Sequence, residues 1–335
     1  THERNATVTR LGEGVDKRRA LSAAAVRRTT ECLAAYGRRI ERFAPERRRL
    51  IATSVVRDAI DGGAFLDGVE RRFALPWRVL GGDEEAALSF AGAASSVVAP
   101  AAAAAPRAAT TAEATSRAAA VSSAATTTEA PSEDASGYPA SLSAFPRLAV
   151  LDIGGGSTEL AQGPFPTAAT GAAPSLLARP DFTRSLDLGS VRLTERFLVS
   201  DPPTDEEWRA TESFTRELLA VQLSPATGPV SLLVGVAGTI TTLVAHKLAL
   251  RVYDPDLVHG HRLSLRDIES AIAVFRRLSS DQRAGLPGIQ CGREDVIPAG
   301  ALIAREACLF LGVDGLVASE ADILDGVALE LAATP

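Results

Sequence analysis

The sequence predicts an α/β protein built on a central sheet, and three observations predict it. Strand-like apolar runs alternate with helical patterns along the chain. Two of those runs, 148–153 and 230–236, each lead into a glycine turn. Val26, Thr30, Leu33, Ile40 and Phe43 recur at helical spacing, which marks 21–43 as an amphipathic helix.

The elements follow in order. Pro45 ends the first helix. Residues 50–53 read as a short buried strand running into a helix that starts near Val55. Residues 65–73 are helical and 77–80 form a strand. Gly81-Gly82 makes a turn, and Asp83 is placed to N-cap a helix through Phe90. Residues 93–146 stand apart, being mostly Ala, Ser, Thr and Pro. A segment so poor in large apolar side chains cannot offset its ordering entropy, so a disordered insertion is expected. A transient Ala-rich helix is the alternative, punctuated by Pro100, Pro106, Pro131 and Pro139.

Beyond it come a strand at 148–153, three glycines and a second strand at 158–161, which together read as a hairpin turn at a sheet edge. A shorter loop of the insertion's flavour covers 164–180. A strand at 182–188 precedes helices at 191–197 and 204–223, which Asp201-Pro202-Pro203 separates. The buried strand 230–236 feeds a helix at 239–250. Ser264-Leu265-Arg266-Asp267 resembles a capping box, with Asp for the usual Glu or Gln, opening a helix to Leu278. Helices at 296–311 and 323–332 flank a strand at 316–318.

Composition narrows the function. The chain has 335 residues, 35 basic and 41 acidic, for a formal charge of −6. That balance argues against a general nucleic-acid binder, which needs a broad basic face, but permits a locally basic cleft for a polyanion. No apolar run reaches the ~18 residues of a membrane span, and the first 20 residues hold no signal-peptide core. Cys32, Cys291 and Cys308 are odd in number and far apart. They argue against a disulfide framework or zinc site and for a reducing, cytoplasmic compartment. Met is absent and residue 1 is Thr, as expected of a processed, cut or fragmentary chain.

Four stretches carry chemistry. Asp152-Ile153-Gly154-Gly155-Gly156-Ser157-Thr158-Glu159 links two strands. Its glycines let successive N–H groups approach a phosphate, and Ser157 and Thr158 add hydroxyl donors. Asp152 is placed to hold Mg²⁺ directly or through water, and Glu159 to orient water or metal. Gly235-Val236-Ala237-Gly238-Thr239 follows a buried strand, with a helix start at Thr239 whose N–H groups face an anion. Alone the second turn is as readily a structural strand-to-helix turn, but two such loops suggest one phosphate-rich ligand held between two lobes. In Gly81-Gly82-Asp83-Glu84-Glu85-Ala86, the carboxylates either cap the helix or supply a base for water attacking phosphorus. Arg57, in Thr53-Ser54-Val55-Val56-Arg57-Asp58, either clamps phosphate or joins a surface ion pair.

Together these residues resemble the exopolyphosphatase/guanosine pentaphosphate phosphohydrolase family. Supporting stretches are Leu11-Gly12-Glu13-Gly14-Val15-Asp16, Gly189-Ser190-Val191-Arg192-Leu193-Thr194-Glu195, His259-Gly260-His261, Arg293-Glu294-Asp295-Val296-Ile297 and Ser319-Glu320-Ala321-Asp322. The likeness covers nearly the whole chain outside the insertion. It implies an actin-like, ribonuclease-H-like two-lobe fold with the active site between lobes. The expected division is an incomplete first lobe, 1–92, rejoined by 313–335, then the insertion 93–146 and a second lobe, 147–312. The resemblance also implies Mg²⁺-dependent removal of terminal phosphate from inorganic polyphosphate, or of the 5′ γ-phosphate from pppGpp.

On that reading Glu85 is the catalytic glutamate, with Glu84 the weaker match, and Asp152 and Glu159 are the acidic residues of the phosphate loop. Arg57 is the phosphate-binding arginine. The family's arginine after Glu-Glu-Ala is replaced by Ala87, and its opening Asp-x-Gly-[Ser/Thr]-Asn-Ser strand is not found before Leu11. A non-catalytic polyanion or nucleotide binder therefore stays open beside the enzyme, with an actin-like kinase as a weaker option. A homodimer is compatible with the sequence; no nucleic-acid or membrane partner is expected. His259 and His261 read as loop histidines bonding backbone rather than a metal pair. Arg192 and Glu195, at i and i+3, read as a surface pair; the resemblance gives Arg192 a share in substrate or lobe contacts.

Overall fold

A computed structural model describes residues 4–103, 147–165, 178–223 and 229–333. The chain begins with the short helix α1 (Val15–Arg18) and the long helix α2 (Ala23–Phe43). Ser22 caps α2, its Oγ accepting from the Ala25 amide at 3.1 Å. Strands β1 (Leu50–Ala52) and β2 (Trp77–Val79) pair in parallel, with α3 (Ser54–Asp58) and α4 (Gly62–Phe73) making the crossover between them. This two-stranded sheet packs on α3 and α4 through Ala52, Val56 and Leu66.

The next helix, α5 (Gly82–Ala103), departs from expectation. It begins one residue before Asp83, which sits in its first turn rather than at the cap, and it runs past Phe90 to Ala103. The expected boundary at residue 93 therefore falls inside a helix. Alanine is the best helix former, and Ala93, Ala94 and Val97 bury themselves against the large sheet through Val150, Ala161 and Val234. The remainder of the expected insertion, 104–146, lies outside the described residues, as does most of the 164–180 loop.

The large sheet has six strands: β3 (Arg147–Ile153), β4 (Thr158–Pro164), β5 (Phe182–Leu186), β6 (Leu232–Val236), β7 (Arg262–Ser264) and β8 (Gly315–Ala318). Their order is β5-β4-β3-β6-β8-β7. The antiparallel strand β4 lies between β3 and β5, and β7 runs against β8. The β3–β4 hairpin is thus internal to the sheet, not at its edge, because β5 and β6 flank it. One sheet face is covered by α5. The other packs under α6 (Ser190–Phe197), α7 (Asp205–Leu223), α8 (Ala237–Lys247), α10 (Leu265–Phe275) and α12 (Ile297–Leu311). Short helices α9 (Pro255–Val258) and α11 (Ser280–Ala284) fill the connections. The Ser264/Asp267 capping box forms at the start of α10.

The last helix, α13 (Ile323–Ala333), lies on α5 at backbone contact. A Cβ at Gly92 would stand 1.9 Å from the Asp322 carbonyl, and one at Gly326 2.1 Å from the Leu88 carbonyl. Residues 313–335 therefore do not rejoin the first part of the chain as a block. Strand β8 belongs to the large sheet, while α13 closes over Leu80 and Leu88. No described helix is long and apolar enough to cross a membrane.

Candidate active site

Strand alternation and one helix turn bring three carboxylates together. Asp152 on β3 sits directly opposite Glu159 on β4 in the hairpin register. Paired residues point to the same side of a sheet, here the side that α5 covers. Glu85 and Ser89 stand one turn apart at the start of α5. Ser89 Oγ donates to Asp152 Oδ2 at 2.7 Å, and Ser185 Oγ donates to Glu159 Oε1 at 2.7 Å. Arg57 donates through Nη1 to the Leu80 carbonyl at 2.8 Å, which leaves it 4.0 Å from Glu85 Oε2.

The three carboxyl groups are 7 %, 7 % and 1 % exposed at Glu85, Asp152 and Glu159. Burial is the main cause that pushes each upward, because it disfavours the charged form. Glu85 rises to about 7, with the Asp152 charge adding to burial and Arg57 and Thr53 opposing it. Asp152 rises to about 6, Ser89 opposing burial and Asp322 adding to it. Glu159 rises to about 9, burial being followed by repulsion from Glu85 and Asp152. Glu85 Oε2 is buried without a hydrogen-bond partner. Three acids whose environments spread them from about 6 to about 9 are what acid–base work near neutrality requires.

The glycine turn is held from behind by α6. The Gly154 carbonyl accepts from the Ser190 amide at 3.0 Å, and the Gly155 carbonyl from the Val191 amide at 2.9 Å. The Gly156 carbonyl accepts from Arg192 Nε at 2.8 Å. Gly189 must be glycine, since a Cβ there would lie 2.2 Å from the Gly155 carbonyl oxygen. Ser157 is buried and donates to Ser54 Oγ at 3.1 Å. Thr158, expected as a phosphate donor, instead commits its hydroxyl to the Leu188 carbonyl and is fully buried.

The second turn faces the first across a cavity of about 340 Å³, lined by Gly154, Gly155, Gly238, Thr239 and Arg293 among others. Helix α8 starts at Ala237, two residues before the expected Thr239, and Ala237 takes a left-handed φ of 66° at the junction. Gly238 lies flat against the Arg293 guanidinium, where a Cβ would approach within 2.1 Å.

In the sequence Arg293 stands out only within the stretch Arg293-Glu294-Asp295-Val296-Ile297. Its Nε donates to Gln290 Oε1 at 3.1 Å, no described carboxylate pairs with it, and burial lowers its pKa. A half-buried guanidinium with no described carboxylate partner, on a cavity wall, suits an anion. An adjoining cavity of about 420 Å³ shares Ala237, Gly238 and Arg293 and reaches Asp322, the neighbour that acts on Asp152. Glu85, Asp152 and Glu159 line neither cavity. Asp152 and Glu159 lie beneath the start of α5, where Glu85 sits, next to the strand end from which the glycine turn departs.

Metal fit can be judged from the donors. Among the described residues no group of three or more His, Cys, Asp or Glu side chains is arranged to hold a metal ion alone. Mg²⁺ does not demand such a cage, since it commonly uses one or two carboxylates with waters and substrate phosphate. Asp152 and Glu159 each keep a carboxylate oxygen beyond the one bonded by serine, so the donor chemistry suits that mode. His259 bonds backbone, accepting from the Glu320 amide at 3.1 Å. Cys32, Cys291 and Cys308 are free thiols.

Comparison with known proteins gives the family. The profile of the Ppx/GppA phosphatase family matches residues 2–104 and 135–334. Exopolyphosphatase 2 of Mycobacterium tuberculosis is 34 % identical over 98 % of this chain and 88 % of its own length. The crystal structure of the Aquifex aeolicus Ppx/GppA family member superposes with a TM-score of 0.68 at 26 % identity, covering 97 % of this chain and 87 % of that one. A solved exopolyphosphatase-like protein superposes with a TM-score of 0.75 at 29 % identity, covering 97 % and 89 %. The chain belongs to the Ppx/GppA phosphatase family.

Proposed function

We propose that this chain is an exopolyphosphatase, releasing orthophosphate from the end of inorganic polyphosphate. The observation that carries it is the glycine turn, which faces the unpaired Arg293 across a cavity while the strands on either side of it carry the buried Asp152 and Glu159 beside Glu85. Exopolyphosphatase 2 of M. tuberculosis, similar over nearly the full chain, supports it. The two sheets are the two lobes of an actin-like fold. The β5-β4-β3-β6-β8 order, with β4 the one antiparallel strand among these five, supports that assignment.

Water attacks the terminal phosphorus in line with the bridging oxygen. The new P–O bond forms as the bridging P–O bond breaks, and the shortened chain leaves with the bridging oxygen. Glu85 takes the proton of the attacking water; a value of about 7 leaves it half ionised at neutrality, where a general base works best. Amides of the glycine turn, Arg57 and Arg293 bind phosphate oxygens, with Gly238 and Thr239 forming the opposite wall. Such positioning and electrostatics are most of what phosphoryl transfer needs. Asp152 and Glu159 would hold Mg²⁺, which would supply charge neutralisation on the substrate oxygens.

The test is orthophosphate release from long-chain polyphosphate, measured beside pppGpp with and without a chelator. Metal-dependent release from polyphosphate is expected, with a higher kcat/KM than for pppGpp. The opposite preference makes pppGpp the substrate. Binding without release makes the chain a polyanion binder.

A further inference from the structure

We propose that Arg192 is a positioning residue that aims the phosphate-facing amides of the glycine turn and, with the same guanidinium, clasps the two lobes. The proposal rests on the turn being the phosphate cradle.

In a planar trans peptide the C=O and the following N–H point opposite ways. Fixing the carbonyls of Gly154, Gly155 and Gly156 on the α6 side therefore turns the amides of Gly155, Gly156 and Ser157 away from it. Backbone N–H groups at the start of α6 fix the first two carbonyls. The third has no such backbone donor, and Arg192 Nε supplies its bond at 2.8 Å. The aim of the Ser157 amide depends on this one side chain.

The rest of the guanidinium reaches the small-sheet lobe. One terminal nitrogen donates to Asp16 in α1, and the other to Asp58 at the end of α3 at 2.9 Å. Asp187 stands 3.6 Å away on the large-sheet side. The expected i, i+3 pair with Glu195 does not form. The Glu195 carboxylate crosses the same gap instead, accepting from the Gly14 amide at 2.9 and 3.2 Å. Between these contacts lies a cavity of about 230 Å³ lined by residues of both lobes, including Val55 and Gly156.

Arg192 is only 18 % exposed on its side chain, so its pairs are sheltered more than ordinary surface ion pairs. A planar fork can satisfy a carbonyl and two carboxylates at once, whereas a lysine ammonium cannot hold that geometry. Opening of the lobes would remove Asp16 and Asp58 from the fork and leave Nε on the turn without the two carboxylates that orient the guanidinium. The cradle is thus aimed when the cleft is shut.

Three variants test this in the full chain: R192A, R192K and the double variant D16N/D58N, which leaves Nε and Gly156 intact. Steady-state kinetics on polyphosphate and small-angle scattering are read together. In R192A, kcat/KM is expected to fall about tenfold or more, the scale of a lost charge-assisted bond, chiefly through KM. Its radius of gyration rises without substrate and returns toward the wild-type value with polyphosphate. R192K behaves like R192A, and D16N/D58N shows the same expansion with a kcat/KM loss of at least about fivefold.

Lost activity without expansion, or expansion without lost activity, overturns the coupling. So does full rescue by R192K, or a D16N/D58N variant that matches wild type. Circular dichroism separates misfolding of R192A from these outcomes, and D16N/D58N then decides. If the wild type releases no orthophosphate, the proposed function fails separately. Tripolyphosphate affinity by calorimetry then replaces kcat/KM as the partner of the scattering data.

Discussion

Replacing Glu85 by Gln separates catalysis from stability at a single atom. Glu85 sits in the first turn of α5 with Oε2 unpartnered, and burial together with Asp152 raises it from 4.5 to about 7. In the unfolded chain it ionises near 4.5, so between the two values the folded state holds a proton that the unfolded state has lost. Stability therefore falls as pH rises through that window and is lowest above it. The size follows from the gap: the penalty is under about 1 kcal/mol at pH 5 and roughly 3 kcal/mol at pH 8.

Glutamine keeps the shape and removes the charge. Melting of the wild type and E85Q with chelator present, from pH 5 to 8, should show nearly equal stability at the acid end. The variant should become progressively more stable toward pH 8. Over the same range wild-type turnover rises through about pH 7 as the base ionises. E85Q loses roughly 10²- to 10⁴-fold in kcat. Full turnover by E85Q refutes the base assignment. A stability difference that does not grow with pH refutes the electrostatic account of the buried cluster.

Three further outcomes follow from the geometry. Arg293→Ala should raise KM for polyphosphate about 10- to 100-fold while leaving the melting temperature unchanged or higher, because a half-buried cation without a carboxylate partner is removed. Thr158→Val should cost about 1–3 kcal/mol in denaturant unfolding, since the Leu188 carbonyl loses its donor. Its KM should stay within twofold; a large KM rise would restore Thr158 as a phosphate ligand. Gly92→Ala should destabilise by about 1–3 kcal/mol or more, and activity should fall with it, because the helix contact that sets Asp322 beside Asp152 is forced apart.

Much of the site was legible in the sequence because it is local. Asp152 and Glu159 flank one turn, so their facing positions follow from a hairpin, and Glu85 is marked by its place at a helix start. Ser89 was within reach of the same logic, one turn after Glu85 on the buried face. Arg293 and Asp322 were not, because what distinguishes them is a lack of partners or a distant neighbour, which only tertiary packing creates. Thr158 was misread for the opposite reason: nothing local says that a hydroxyl beside three glycines turns inward to the Leu188 carbonyl. Helix α5 exceeds its expected end because low hydrophobic bulk does not entail loss of order. Small alanine side chains are instead what allows the close contact around Gly92.

Helix α5 also separates chemistry from variation. Its 22 residues extend about 33 Å at 1.5 Å per residue, with Glu85 near one end and Ala103 at the other. The stretch that the family profile leaves unmatched, 105–134, begins just past that far end. Sequence can therefore be gained, lost or exchanged in the stretch that follows a helix end about five turns from Glu85. For an engineer this is a port: a reporter or tether inserted within 105–134 should be carried without altering turnover.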